Sequence, residues 1–339
     1  MANKTVQKLT GSKAMSLAIE QAMNKDEKVF VMGEDVGKYG GIFGSTSGLM
    51  EKFGPDRVMD TPISETGFIG AAVGAAAEGF RPIVELMFVD FHGVVMDQIY
   101  NHIAKITYMS GGNVKMPIVL MTAVGGGYSD AAQHSQTLYA SFGHLPGLKV
   151  VAPTFPYDLK GMMAAAIQDD NPVVFMFHKT LQGLGWMDQI PASLGPVLEE
   201  EYTVALDKAK VVREGTDITI VGAQMMTVEA LDAAEKLASE GISAEVIDLL
   251  SVKPIDKETI FASLEKTHRL LIVDEDYLSY GYTAEIAALV ASEAFYHLEA
   301  PIGRLAIPDV PIPFSPVLEK FVIPDANNIV DKVKEIINS

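Results

Sequence analysis

The chain has 339 residues, a length that fits roughly two domains of ordinary size. Hydrophobic residues make up 48% and charged residues 21%, which excludes a mainly disordered chain. A formal net charge of −18 disfavours nucleic acid and anionic membranes as partners and favours basic patches, and the absence of cysteine excludes disulfides, Fe–S clusters, Cys-ligated zinc and a thiol nucleophile.

The opening stretch 1–16 is polar. The longest apolar stretches, 69–77 and 117–124, fall short of the roughly 20 residues that a membrane span needs. A soluble cytoplasmic enzyme or enzyme subunit is therefore expected. Apolar residues at helical spacing predict a first helix over 12–24. A short buried strand over 28–32 follows, with Gly33 opening the turn after it. The stretch 67–79 is rich in Gly and Ala, and small side chains in a helix let another backbone approach closely. Then come a strand over 82–87, a helix over 91–109, a strand over 116–122 and the loop Gly125-Gly126-Gly127. A strand over 148–152, a helix over 157–168 and a strand over 172–177 complete the first half.

The pattern breaks around 180–206, which carries Gly183, Gly185, Pro191, Gly195 and Pro196 and the solvated charge run Glu199-Glu200-Glu201. It then restarts. Strands are predicted over 217–222, 244–249, 269–273 and 301–307, and helices over 225–240, 256–266, 280–297 and 326–338. Buried strands separated by helices argue for parallel sheets covered on both faces. The expectation is two α/β domains, over 1–190 and 205–339, with a linker over 191–204.

Several familiar chemistries are missing. There is no G-x-G-x-x-G after a strand, no G-x-x-x-x-G-K-[ST], no H-E-x-x-H and no G-x-S-x-G. The seven histidines are scattered, without metal-ligand spacing. The chain looks like an enzyme fold that lacks its own cofactor-phosphate site.

Four places still offer chemistry. Glu65 sits in Asp60–Gly70 at the mouth of the small-residue apolar element. Poor solvation there is expected to raise its pKa and to suit proton exchange with a ring nitrogen, while the plainer reading is an acid capping the helix over 67–79. His134 follows the glycine-rich loop after a strand, between Gln133 and Gln136, and is either a proton donor and acceptor or a helix-start histidine bonded to backbone. Phe91 either presents an aromatic face to a flat heterocycle or is simply core. Asp169, with the last carbonyls of the helix before it, either binds a monovalent cation or forms an ordinary turn.

Five segments then appear in one order: 33–49 (GEDVGKYGGIFGSTSGL), 60–88 (DTPISETGFIGAAVGAAAEGFRPIVELMF), 97–112 (DQIYNHIAKITYMSGG), 131–136 (AAQHSQ) and 167–175 (IQDDNPVVF). With 214–222, 240–249 and 310–319 they closely resemble the β subunit of the E1 component of thiamine-diphosphate-dependent 2-oxo acid and acetoin dehydrogenase complexes. The resemblance spans nearly the whole chain. It implies a pyrimidine-binding domain of the thiamine-diphosphate-binding fold followed by a transketolase C-terminal-like domain. It also implies an α2β2 heterotetramer with a β–β contact, in which the α subunit holds the diphosphate and magnesium, so no phosphate motif is needed here.

By the same resemblance, Glu65 is the carboxyl that hydrogen-bonds ring nitrogen N1′ of the aminopyrimidine, favouring the imino tautomer that takes the proton from thiazolium C2. Phe91 stacks on the pyrimidine. His134 shuttles protons or orients the incoming lipoyl group. Ile118, Ala166, Ile167, Asp169 and Asn171 match a potassium site, with Asp170 an added charge beside it. The implied partners are the E1 α subunit and the subunit-binding and lipoyl domains of a dihydrolipoyl acyltransferase (E2). Segments 87–91 (MFVDF) and 177–179 (FHK) look closest to acetoin members, so acetoin is the first expectation and pyruvate the second. A self-contained transketolase-like enzyme needs a GDG…N motif, which is absent, and a non-catalytic scaffold needs neither Glu65 nor His134.

Overall fold

The computed structural model describes residues 5–187 and 189–339, so positions 1–4 and 188 of the expected first domain lie outside the described residues. The chain forms two compact units. The first comprises Met1–Val124 and Ser141–Leu206, the second Gly125–Ala140 and Asp207–Ser339. The glycine-rich loop and His134, expected within 1–190, thus group with the second unit.

In the first unit β1 (Val6–Thr10) leads into α1 (Gly11–Lys25), whose start is capped by the Thr10 hydroxyl accepting the Lys13 N–H at 3.4 Å. Ala14, Met15, Ala18, Ile19 and Met23 form its buried stripe, the helical spacing seen in the sequence. The remaining elements are β2 (Val29–Gly33), α2 (Leu49–Phe53), β3 (Val58–Asp60), α3 (Glu65–Ala77), β4 (Arg81–Phe88), α4 (Ile106–Met109) and β5 (Val119–Val124). The helical turn α5 (Tyr139–Gly143), whose first two residues group with the second unit, then β6 (Lys149–Val151), α6 (Pro156–Gln168), β7 (Val173–His178) and β8 (Leu194–Leu198) follow. Six of these strands lie in the order β6-β7-β5-β4-β2-β3, and each neighbouring pair is parallel. β2, β5 and β7 are buried along their whole length, as a parallel sheet covered on both faces requires. β3 lies on one side of β2 and β4 on the other. The chain therefore reverses across the sheet at β2, and the residues after β2, β3 and β4 open onto the C-terminal edge, where α/β sheets bind ligands.

Two expectations change here. The helix over 91–109 is instead a 3₁₀ segment (Val89–Val95), a π-helical turn (Gln98–Ile103) and the short α4. Gly93 and the β-branched pair Val94-Val95 disfavour a regular helix at its start. The stretch 191–204 is not a bare linker, because β8 pairs antiparallel with β1 in the register Val6↔Leu198 to Thr10↔Leu194.

The second unit contains β9 (Lys210–Arg213), β10 (Ile218–Gly222), α7 (Met225–Ser239), β11 (Ala244–Asp248), the short β12 (Ser251–Lys253) and α8 (Lys257–Thr267). It continues with β13 (Leu270–Tyr277), α9 (Tyr282–Glu293), β14 (Gly303–Ile307), α10 (Pro316–Val322) and α11 (Ala326–Ile337). Its five-stranded sheet runs β14-β13-β10-β11-β9, parallel except for the edge strand β9. Alternate residues of β10 face opposite layers. Ile218 and Ile220 join the apolar core formed with α7 and α11, whereas the Thr219 hydroxyl meets Ser263 and Thr267 of α8 at 2.6 Å each. Among the described residues no helix is long and apolar enough to cross a membrane.

Candidate active site

Glu65 is the first residue of α3, two residues earlier than the sequence pattern predicts. Ser64 makes no side-chain cap bond, so the negative end of the first turn is Glu65 itself, where the helix dipole favours an anion. The carboxyl is half-buried. Thr66, next along the helix, donates its hydroxyl to Val94 O at 2.7 Å. That bond ties the start of α3 to the 3₁₀ segment carrying Phe91. Phe91 is half-buried rather than core and meets Phe88 edge-on at 6.0 Å between ring centres. Phe88 in turn meets Phe43 edge-on at 5.6 Å, and the buried Lys179 ammonium lies 5.8 Å from its ring centre.

Two further carboxyls, which the sequence motifs did not single out, complete this edge. Glu34 follows β2 and is 9% exposed; Glu85 lies inside β4 and is 1% exposed. Each keeps one oxygen, Oε1, without a hydrogen-bond partner among the described residues. The other oxygen of Glu85 accepts the Ser45 hydroxyl at 3.0 Å. Burial pushes the Glu34 carboxyl up, and the charges of Glu65 and Asp35 push it further. Burial lifts Glu85 from 4.5 to about 7, opposed by the Ser45 bond and helped by the Glu34 charge. A charged residue in the middle of an apolar strand and another closing the run VFVMG were the available signals. Glu65 at the head of α3, the half-buried Phe91 ring and the unpartnered oxygens of Glu34 and Glu85 are the groups this part of the first unit offers to a ligand.

The Glu85 shift has a stability consequence. Below pH 4.5 the group is neutral in both folded and unfolded chains. Between 4.5 and about 7 the unfolded chain has lost this proton while the folded chain keeps it. Stability therefore falls as pH rises through that window, by about 3 kcal/mol in all. Glu85→Gln is expected to remove this fall, which urea unfolding at pH 5 and pH 8 measures. Parallel pH profiles for variant and parent would contradict the shift.

His134 lies in the second unit, half-buried, in a turn closed by its own N–H donating to Ala131 O at 3.3 Å. No helix starts at His134.

The proposed potassium ligands do gather at one corner of the first unit. Ile118 O accepts the Val173 N–H at 2.9 Å and Ala166 O the Asp169 N–H at 3.3 Å. Arg81 donates to Ile167 O at 2.8 Å and to Asp169 O at 2.7 Å. The Asp169 carboxylate bonds Lys149 and both the backbone and side-chain N–H groups of Asn171. Burial works to raise Asp169, but Lys149 and Asn171 hold it below the usual carboxylate value. Asp170 pairs with Lys115 and Arg81, which lower it. Each carbonyl here has given one lone pair and keeps a second.

The chain matches two known domains, the first of which includes the 125–140 stretch that packs with the second unit. Residues 7–183 match the transketolase pyrimidine binding domain, and 207–329 match the transketolase C-terminal domain. The chain belongs to the family of β subunits of the E1 components of thiamine-diphosphate-dependent acetoin and 2-oxo acid dehydrogenases. It is 46% identical over 340 residues to acetoin:2,6-dichlorophenolindophenol oxidoreductase subunit beta of Bacillus subtilis, covering 96% of each chain. It is 45% identical over 328 residues to pyruvate dehydrogenase E1 component subunit beta of Rickettsia felis, covering 97% of this chain and 98% of that one. Its fold matches a solved split-gene transketolase, an inactive beta4 tetramer, with a TM-score of 0.77 at 24% identity over 97% of this chain and 98% of the other.

Proposed function

We propose that this chain is the β subunit of an acetoin-cleaving E1 enzyme that passes the acetyl group to lipoamide. The observation that carries the catalytic part is Glu65 at the head of α3, tied through Thr66 and Val94 to the segment bearing Phe91 and neighboured by the buried Glu34, whose carboxyl is pushed up by burial. Acetoin as substrate is supported by the 46% identity with the Bacillus subtilis acetoin enzyme subunit. A second reading, oxidative decarboxylation of pyruvate, is supported by the 45% identity with the Rickettsia felis subunit.

Bound thiamine diphosphate supplies a nucleophilic carbon for the substrate carbonyl and an electron sink for cleavage of the adjacent C–C bond. The protein's own part is proton placement. Glu65 holds a proton at the pyrimidine N1′ atom. Glu34, whose carboxyl burial and the charge of Glu65 push up, lies beside it. Phe91 flanks the pyrimidine face. His134 gives a proton to the sulfur released when the lipoyl disulfide opens.

The diphosphate and magnesium belong, in this proposal, to a partner α subunit. Gly67, Ala71 and Gly74 form an exposed row on α3, and a Cβ added at Gly74 meets nothing within 4 Å. The small side chains of that row therefore answer to no packing within this chain, which supports β–β or α–β packing in an α2β2 assembly. Potassium at the Ile118, Ala166, Ile167, Asp169 and Asn171 corner would use the second lone pairs of those carbonyls. The net charge of −18 supports docking of a basic E2 subunit-binding domain, and a cytoplasmic location completes the proposal.

The test is turnover of the chain reconstituted with its α subunit, with a redox dye as acceptor. The expected kcat/KM for acetoin exceeds that for pyruvate by about tenfold or more, the scale on which small pockets discriminate. The reverse preference would select the pyruvate reading.

A further inference from the structure

The backbone of the His134 loop is in a conformation it would not hold alone. Ser129, Ala131 and Leu138 have φ of 60°, 63° and 52°, and Gly125 and Gly127 have φ of 90° and 84°. Three non-glycine residues in the left-handed region within ten positions need outside support. The support comes from carboxylates on β13 and α10 of the same unit. Glu275 Oε1 accepts the Gly126 N–H at 2.7 Å, and Glu275 O accepts the Thr137 hydroxyl at 3.1 Å. Glu319, only 2% exposed, accepts the Gly127 N–H at 3.0 Å, the Ser129 N–H at 3.0 Å and the Ser129 hydroxyl at 3.3 Å. Asp276 accepts backbone N–H groups of Leu138, Tyr139 and Ala140, and the Tyr277 hydroxyl donates to Gln136 at 3.2 Å. Gly126 must lack a side chain for this approach: a Cβ there would stand 2.4 Å from Ile323 and 3.3 Å from Glu319 Oε1.

We propose that Glu319, with Glu275, is a positioning residue that holds the His134 loop in the conformation needed for transfer to the lipoyl acceptor. The inference rests on the role given to His134 above. A carboxyl side chain suits this place because its two oxygens accept. It takes several converging N–H donors. His134 sits five residues beyond Ser129, so the fastening at 126–129 and the one at 136–140 bracket it on both sides.

Glu319→Gln tests this in the reconstituted α–β enzyme. The amide has one acceptor oxygen, and its NH₂ faces backbone donors. Two measurements are made: amide hydrogen exchange of peptides within 125–140, and the ratio of lipoyl-domain turnover to dye turnover. The expected result is loop exchange faster by about tenfold or more, with the lipoyl-to-dye ratio falling by about tenfold. Tyr277→Phe, which deletes a single peripheral bond, is expected to move both readouts the same way by about threefold, and it decides the matter if Glu319→Gln does not assemble. Unchanged loop exchange overturns the proposal. So does faster loop exchange with an unchanged ratio, or a general rise in exchange across the unit with both activities falling together. His134→Ala separates the two layers. If it leaves the lipoyl-to-dye ratio intact, the role of His134 fails, whereas the clamp is still judged by loop exchange in Glu319→Gln.

Discussion

Glu65→Gln is expected to lower turnover of the assembled enzyme by about 10²–10⁴, with acetoin or pyruvate and with dye or lipoyl acceptor alike. Glutamine keeps the size of the side chain and its place at the head of α3, so folding and assembly should persist. What it lacks is a proton that can be lent and recovered. In the role proposed for Glu65 every later step depends on that proton at N1′, so the expected loss does not discriminate between acceptors. The direct readout is hydrogen–deuterium exchange at thiazolium C2 of bound cofactor, which should slow by a similar factor while cofactor affinity changes little. Removing the Glu65 charge also removes one cause of the raised Glu34 carboxyl, so Glu34 should titrate lower in the variant. Normal C2 exchange in Glu65→Gln would end the assignment of Glu65.

How much of this was legible depends on how local the signal is. Continuous apolar runs ending in Gly gave the buried parallel strands, because burial on both faces leaves a mark within five or six residues, as in Val29–Gly33 and Ile218–Gly222. The β1–β8 pair left no such mark. It joins positions 192 residues apart at Val6↔Leu198 and 184 apart at Thr10↔Leu194, and the Val6 and Leu194 side chains are exposed. The stretch 125–140 reads as an ordinary loop after a strand, yet its N–H groups go to Glu275 and Glu319, 149 and 190 or more residues away. No periodicity encodes that fastening. Glu65, Phe91 and His134 stand out by local position, but the roles expected of them come from motifs that resemble a family rather than from physical pattern. Glu34 and Glu85 lie inside the same motifs, and Glu85 carries a local signal of its own because it interrupts a largely apolar strand. The charge run Glu199-Glu200-Glu201 reads as solvated, and its side chains are exposed. The backbone carrying them does something the sequence hides.

That backbone binds a buried cation. Lys160 on α6 is 0% exposed, and its ammonium donates to Leu198 O at 2.6 Å, Glu199 O at 3.1 Å and Glu200 O at 2.9 Å. The Tyr202 ring lies 5.0 Å away and stacks on Tyr157. Burial pushes the ammonium pKa down, against the pull of Glu201, Glu200 and Glu199. Gly161, beside it, accepts the Val204 N–H at 3.0 Å through its carbonyl, and a Cβ there would stand 2.4 Å from Val204. So the end of β8 and the irregular 199–204 segment are laid onto α6 by one ammonium and one bare backbone. Lys160→Met keeps the apolar length and deletes the three donors, leaving the carbonyls unsatisfied. The expected loss in stability of the first unit is about 4 kcal/mol, the scale for breaking a buried charge interaction on one side. Lys160→Arg should not restore it, because a flat fork of N–H groups does not converge on three carbonyls as an ammonium does. Two units need not unfold together, so the transition must be read in the first alone. Trp186 is the single tryptophan and lies in that unit, which makes its fluorescence the probe in urea. A midpoint shift worth less than about 1 kcal/mol would mean that water replaces the ammonium without cost, and that 198–200 are held by β8 pairing instead.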